Sequence, residues 1–263
     1  PYSKIRPDII DCPEHRALAL EASRRSMALL KNDGALPLNK GIKKIAVIGP
    51  NADSLDVLLG NYNGTPSSYI TALAGIRTQF SGETIFAKGC NFKGKNKSAF
   101  GRAAQIAQDA DAVVLCLGLS PRVEGEEGDA FNADASGDKL SLKLPGAQEE
   151  LLELLASMNK PLIVVIFSGS PLDLRRVDQL ANAVILAWYP GQDGGRALAE
   201  ILFGDFNPSG RLPVTFVYSD EDLPPFEDYS MKGRTYRYLE NPPLYPFGFG
   251  LSYTSFEYSN FVL

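Results

Sequence analysis

Four short apolar runs punctuate the chain: Lys44-Ile-Ala-Val-Ile48, Ala112-Val-Val-Leu-Cys-Leu117, Leu162-Ile-Val-Val-Ile-Phe167 and Ala183-Val-Ile-Leu-Ala-Trp188. Each is rich in β-branched residues and near-continuous rather than alternating, which is how strands covered on both faces read. Helical spacing lies between them, over 13–32, 99–109, 145–159 and 194–203. In the third of these, Leu151, Leu154 and Leu155 share a face while Glu149, Glu150 and Glu153 lie mostly off it. The βαβα order predicts an α/β sandwich: an open, mainly parallel sheet with helices on both faces and right-handed crossovers. After Gly204 the texture changes, because prolines from Pro208 to Pro246 crowd a stretch full of Tyr and Phe. Proline withholds a backbone donor and interrupts helices and central strands, so this tail is expected to wrap the sheet in short elements. The expected division is a linker and helix over 1–40, the sandwich over 41–217 and the tail over 218–263.

Open parallel sheets bind ligands beyond the carboxyl ends of their strands. Each apolar run here gives way to a polar or glycine-rich segment: Gly49-Pro-Asn-Ala-Asp53, Gly118 through Glu127, Ser168-Gly-Ser170 and Tyr189-Pro-Gly-Gln192. Composition narrows what this edge can do. The 263 residues carry 26 Lys plus Arg against 31 Asp plus Glu, with no basic stripe, which argues against nucleic acid as a partner. No apolar run reaches the ~18 residues of a membrane helix. A single histidine, His15, leaves no material for a Ser-His-Asp triad or a multi-histidine metal site, and neither metal nor cofactor is expected. Cys12, Cys90 and Cys116 are far apart, and Cys116 reads as a core residue inside its apolar run.

Carboxylate chemistry remains. The loop after the second run holds Glu124, Glu126 and Glu127 within four positions. Clustered carboxylates repel, so one of them can stay protonated near neutral pH as a general acid requires; the alternative is a solvated acidic loop. The Gly49 turn invites a nucleotide, but the three-glycine fingerprint is missing and Pro50 removes a backbone N–H where one is wanted. Trp188 and Tyr189 offer aromatic faces suited either to sugar rings or to core packing.

Longer words then accumulate: Leu29-Leu-Lys-Asn-Asp-Gly34 with Leu36-Pro-Leu38, Ile45-Ala-Val-Ile-Gly-Pro-Asn-Ala52, Gly60-Asn-Tyr-Asn-Gly64, and Trp188-Tyr-Pro-Gly-Gln192 with Gly194-Gly195. Next come Gly204-Asp-Phe-Asn-Pro208 with Gly210-Arg-Leu-Pro213, then Arg234-Thr-Tyr-Arg-Tyr238 and Tyr245-Pro-Phe-Gly-Phe-Gly-Leu-Ser-Tyr253. In this order they resemble glycoside hydrolase family 3. Val123-Glu-Gly-Glu-Glu127 and Asp228-Tyr-Ser-Met-Lys-Gly233 are most similar to its β-xylosidase-type members, with β-glucosidases as neighbours.

The resemblance implies a retaining enzyme of two domains, a (β/α) barrel carrying an aspartate nucleophile and an α/β sandwich supplying the acid/base glutamate on a loop. This chain matches the sandwich. The implied acid/base is Glu126, with Glu124 second, and Arg122, Trp188 and Tyr189 are the implied substrate contacts. The implied partners are a β-linked oligosaccharide or xylo-oligosaccharide and the barrel domain of the same enzyme, without which the chain is expected to be inactive. The family's Gly-Asp-Arg stands here as Gly137-Asp-Lys139, and lysine does not bind oxygen pairs as an arginine fork does. Two other readings stay open: a non-catalytic carbohydrate-binding or interaction module, and a nucleotide-binding protein built on the Gly49 turn.

Overall fold

The computed structural model describes residues 2–39, 41–61, 64–125, 139–255 and 257–259. Six strands form one sheet: β1 (Ala28–Asn32), β2 (Lys44–Ile48), β3 (Glu83–Ala87), β4 (Ala112–Gly118), β5 (Leu162–Phe167) and β6 (Ala183–Leu186), in the order β1-β6-β5-β4-β2-β3. Every neighbouring pair is parallel except β1 with β6. The four apolar runs are therefore the four inner strands, and β4, β5 and β6 are buried along their whole length.

Alternate residues of these strands feed two separate cores, as the period of a strand demands. One contains Ile48, Leu115, Leu117, Val164 and Ile166, with Ile106 of α4 (Phe100–Gln108), Leu151 and Leu155 of α5 (Gln148–Ala156) and Val177 of α6 (Arg175–Leu180). The other contains Ile45, Val47, Val114, Cys116 and Val165, with Leu20 of α1 (Pro13–Ser26), Ile76 of α3 (Ala72–Gln79) and Leu198 of α7 (Gly194–Phe203). Helices thus cover both faces and the α/β sandwich stands, with one short helix, α2 (Asp56–Leu59), between β2 and α3. In α5 the fully buried face is Leu151, Leu152 and Leu155, with Leu154 half-buried, one position off the expected stripe.

Two edge strands depart from the sequence reading. The expected helix over 13–32 stops at Ser26, and Ala28–Asn32 is an antiparallel edge strand whose outer side is bridged by Leu251 of the tail. Its Ala-Leu-Leu run fits a buried helix face as well as a strand, and periodicity over so few residues does not separate the two. The other edge, β3, is partly exposed and carries no continuous apolar run. The tail does lie on the sheet: Phe216 and Tyr245 pair their backbones and pack edge to face, with ring centres 6.3 Å apart.

Two contacts fix the helices of the second core. Helices α3 and α7 approach so closely that a Cβ on Gly195 would lie 1.9 Å from the Thr71 carbonyl oxygen, and one on Gly75 would lie 1.9 Å from the Gly195 oxygen. Only glycine fits there. Helix α1 is docked onto α7 by a carboxylate held between two arginines. Arg24 forks onto Glu200, with Nη2 to Oε1 at 2.7 Å and Nε on Oε2, and Arg196 Nε donates to Oε1 at 3.1 Å. The Glu200 side chain is 10 % exposed. The hydrogen bond from Arg24 is the main cause holding its carboxyl below the ordinary 4.5, against the opposing effect of burial.

Both contacts have measurable consequences. Gly195→Ala should destabilise the fold by roughly 3 kcal/mol in urea unfolding, because backbone has to move to admit the methyl. Glu200 has a depressed folded-state pKa, so its contribution is present above about pH 4.5 and is lost as pH falls below that through the lower folded-state value. Glu200→Gln should therefore cost about 1–3 kcal/mol near neutral pH, and the gap from the parent should close in acid.

Candidate active site

The carboxyl ends of β4, β5 and β6 place three loops side by side, and the first carries the glutamates. Its launch point is set by Gln148, the first residue of α5, which is fully buried. The Gln148 side chain accepts from the Gly118 N–H at 2.7 Å and donates to the Gly118 carbonyl at 2.8 Å and the Phe92 carbonyl at 3.2 Å. Beyond Gly118 the chain turns tightly, because the Ser120 carbonyl accepts from both Val123 N–H (2.8 Å) and Glu124 N–H (2.9 Å). Asn51, from the loop after β2, adds a bond from Nδ2 to the Leu119 carbonyl at 2.7 Å.

Glu124 then reaches across the strand ends. Its Oε2 accepts from the Gly169 N–H at 3.0 Å and the Tyr189 hydroxyl at 2.9 Å, and its Oε1 accepts from the Ser170 hydroxyl. Three donors from the exits of β5 and β6 thus converge on one carboxylate from the exit of β4. Burial is the chief reason the Tyr189 hydroxyl is raised well above the ordinary phenol range, with the Glu124 charge adding to it, so this hydroxyl is a donor throughout the working range. Glu126 lies outside the described residues.

The remaining candidates separate. Arg122 is exposed and its guanidinium pairs with Asp56 at 2.7 Å. Trp188 donates from Nε1 to the Ser26 carbonyl at 3.1 Å and meets Phe216 edge to face, so its ring is engaged with the fold. Tyr189, next to it, points instead to Glu124. Lys139 has no fork to offer: its ammonium donates to the Pro171 carbonyl, one residue beyond Ser170. Burial pushes the Lys139 pKa down, while the charges of Glu124 and Asp220 oppose that shift.

A cleft of about 770 Å³ opens beside Ser170 and Lys139, walled mainly by apolar side chains including Val217, Leu223, Met231, Tyr236 and Phe247. The Gly49 turn serves packing, since a Cβ on Gly49 would lie 1.9 Å from the Cys116 carbonyl oxygen. That steric demand accounts for the glycine without a phosphate. Among the described residues no group of three or more His, Cys, Asp and Glu side chains is placed to hold a metal ion. Sequence reading did not find Gln148, Gly169 or Ser170 as partners of the glutamate loop. Gln148 left one signal, a polar residue at the start of the apolar face of its helix.

The family model for the glycosyl hydrolase family 3 C-terminal domain matches residues 27–253. The chain belongs to glycoside hydrolase family 3. It is 38% identical over 269 residues to the probable β-D-xylosidase 7 of Arabidopsis thaliana, a match covering 98% of this chain and 34% of that protein. It is 34% identical over 307 residues to the periplasmic β-glucosidase of Salmonella typhimurium, covering 100% of this chain and 39% of the relative. Among solved structures, the family 3 exo-β-xylosidase XlnD in complex with a xylobiose aziridine activity-based probe superposes with a TM-score of 0.88 at 34% identity, covering 97% of this chain and 33% of that one. This family 3 domain thus spans about a third of the length of the relatives it matches.

The clamp at the end of β4 can be tested apart from any activity. Gln148→Ala would leave the buried N–H and C=O of Gly118 without partners and should cost about 2–4 kcal/mol. Hydrogen exchange at Gly118 and Leu119 should rise well beyond the change at β2.

Proposed function

We propose that this chain is the acid/base-bearing domain of a retaining, exo-acting β-glycosidase of the β-xylosidase type, working against a barrel domain that carries the nucleophilic aspartate. The observation that carries the reading is Glu124, a carboxylate launched from β4 and fixed at the carboxyl edge of the sheet by donors from two neighbouring loops. That is where open parallel sheets bind ligands. The family membership and the β-xylosidase and β-glucosidase names of the relatives support it. Of the two glutamates singled out in the sequence, we place the role on Glu124, because its carboxylate meets donors from the exits of β5 and β6, with Glu126 as the competing assignment.

In such a mechanism the glutamic acid gives its proton to the glycosidic oxygen as the C–O bond to the anomeric carbon breaks, and the barrel aspartate forms the glycosyl-enzyme. The resulting carboxylate then takes a proton from water as that water attacks the intermediate. The two carboxyl groups work about 5–5.5 Å apart. Glu124 would therefore have to face the barrel across a narrow gap, and the apolar cleft beside Ser170 would lie on the leaving-group side. Arg122, paired with Asp56, and Trp188, engaged with Ser26, are proposed as supports of this edge rather than as sugar contacts.

A second reading, a non-catalytic carbohydrate-binding module, has one observation in its favour: both oxygens of Glu124 are already occupied. The decisive assay combines the chain with its barrel domain and β-xylosides. Glu124→Gln should lower turnover of a xylo-oligosaccharide by ~10²–10⁴-fold, the usual weight of a general acid or base. Azide, a nucleophile that needs no base, should restore turnover of an activated aryl xyloside. Loss in Glu126→Gln with Glu124→Gln unimpaired would move the role along the loop, and parent-like rates in both variants would leave the binding module.

A further inference from the structure

Glu124 has two oxygens in different surroundings, and the difference is chemical. Oε2 accepts from the Gly169 backbone N–H and from the Tyr189 hydroxyl. Both lone pairs of Oε2 are thus taken, one by an N–H that cannot become an acceptor and the other by a half-buried phenol that keeps its proton, so a proton on Oε2 would have to displace a donor. Oε1 meets only the Ser170 hydroxyl among its hydrogen-bond partners in the described residues. A hydroxyl is a rotor that donates to a carboxylate and, turned round, accepts from a carboxylic acid. One oxygen is thus held as an acceptor in both charge states, and the other can carry a proton without losing its partner.

Resting on the assignment of Glu124 above, we infer that Tyr189 is a positioning residue which, with the Gly169 N–H, holds Oε2 as the permanent acceptor and so confines the transferable proton to Oε1. The backbone shows that the placement of Tyr189 is built in. Trp188, immediately before it, has φ +57°, a conformation that costs a bulky residue energy. This turn sends the indole toward Ser26 and the phenol toward Glu124. Two glycines from other loops leave room for the phenol ring. A Cβ on Gly60 would lie 3.3 Å from Tyr189 Cδ2, and one on Gly169 would lie 3.0 Å from Cε2. In sequence Trp188 and Tyr189 read as aromatics suited to sugar rings or to core packing; in the fold the second is directed at Glu124.

General-acid assistance matters most when the leaving group is poor, and that gives the test its readout. The chain would be assayed with its barrel domain on two substrates: xylobiose, whose departing sugar alkoxide needs a proton, and 2,4-dinitrophenyl β-xyloside, whose phenolate does not. Tyr189→Phe keeps the ring in its slot and removes the hydroxyl. It should lower kcat/KM for xylobiose by ~10–100-fold, a part of the full general-acid effect, and change the dinitrophenyl substrate by less than about 3-fold. Gly169→Ala would bring a methyl to 3.0 Å from the ring and 3.4 Å from Glu124 Oε2 and should give the same unequal loss. Equal losses on both substrates in Tyr189→Phe, or none, with Glu124→Gln still selective for the poor leaving group, would overturn the positioning role and leave the assignment of Glu124 intact. A Glu124→Gln variant that does not discriminate between the substrates would overturn both.

Discussion

Strand β4 loses its neighbour β2 three residues before its own end, because the β2–β4 ladder closes at Ile48 and Leu115 and β2 then turns away at Gly49, whereas β5 stays paired through Phe167. Gly118 therefore presents one N–H and one C=O to a buried flank with no strand left to receive them. A side-chain amide carries the same donor and acceptor as a peptide group, and Gln148 supplies both from the first turn of α5. Without that substitution of side chain for strand, the buried end of β4 would cost more than a typical native structure tolerates. Everything catalytic in the proposed function depends on it, since the loop that carries Glu124 begins at the next residue.

The inner sheet was readable in the sequence for a simple reason. A strand covered on both faces has to be apolar at nearly every position, so Ile163-Val-Val-Ile166 and Val113-Val-Leu-Cys-Leu117 advertise themselves without help from their neighbours. Edge strands lack that constraint. Glu83–Ala87 is half covered and reads as nothing in particular, and Ala28–Asn32 is apolar on a scale too short to tell strand from helix. The glutamate loop could be singled out because its carboxylates are adjacent in sequence. Its supports could not be: Gly169 and Ser170 lie 45 and 46 residues from Glu124, and Tyr189 lies 65 away. They meet because β4, β5 and β6 are consecutive in the sheet, a fact of topology that no local pattern states.

Trp188 and Tyr189 show the same limit at the scale of two residues. Their composition suggests one aromatic platform, yet the positive φ at Trp188 breaks the regular strand geometry just where the sheet ends. One ring is assigned to the seam between tail and sheet, where it meets Phe216, and the other to the functional edge. A single strained residue therefore divides a structural duty from the positioning role proposed for Tyr189.

Lys139 adds the electrostatic side of this design. Its ammonium is held in a half-buried position by the Pro171 carbonyl, and desolvation weighs against its charge, while the carboxylates of Glu124 and Asp220 weigh for it. An acid/base glutamate changes charge during turnover, being neutral before it protonates the leaving group and anionic afterwards. The anionic form is the one that compensates the half-buried lysine. On the proposed mechanism, proton donation by Glu124 would thus be met by a cation already in place, close to the turn that holds Oε1 through Ser170. A guanidinium could have delivered its charge through a planar fork to two oxygens at once. The single bond of Lys139 instead fixes the backbone beside Ser170 and leaves both oxygens of Glu124 to hydroxyl and N–H donors, so that charge and hydrogen-bond direction are controlled by separate groups.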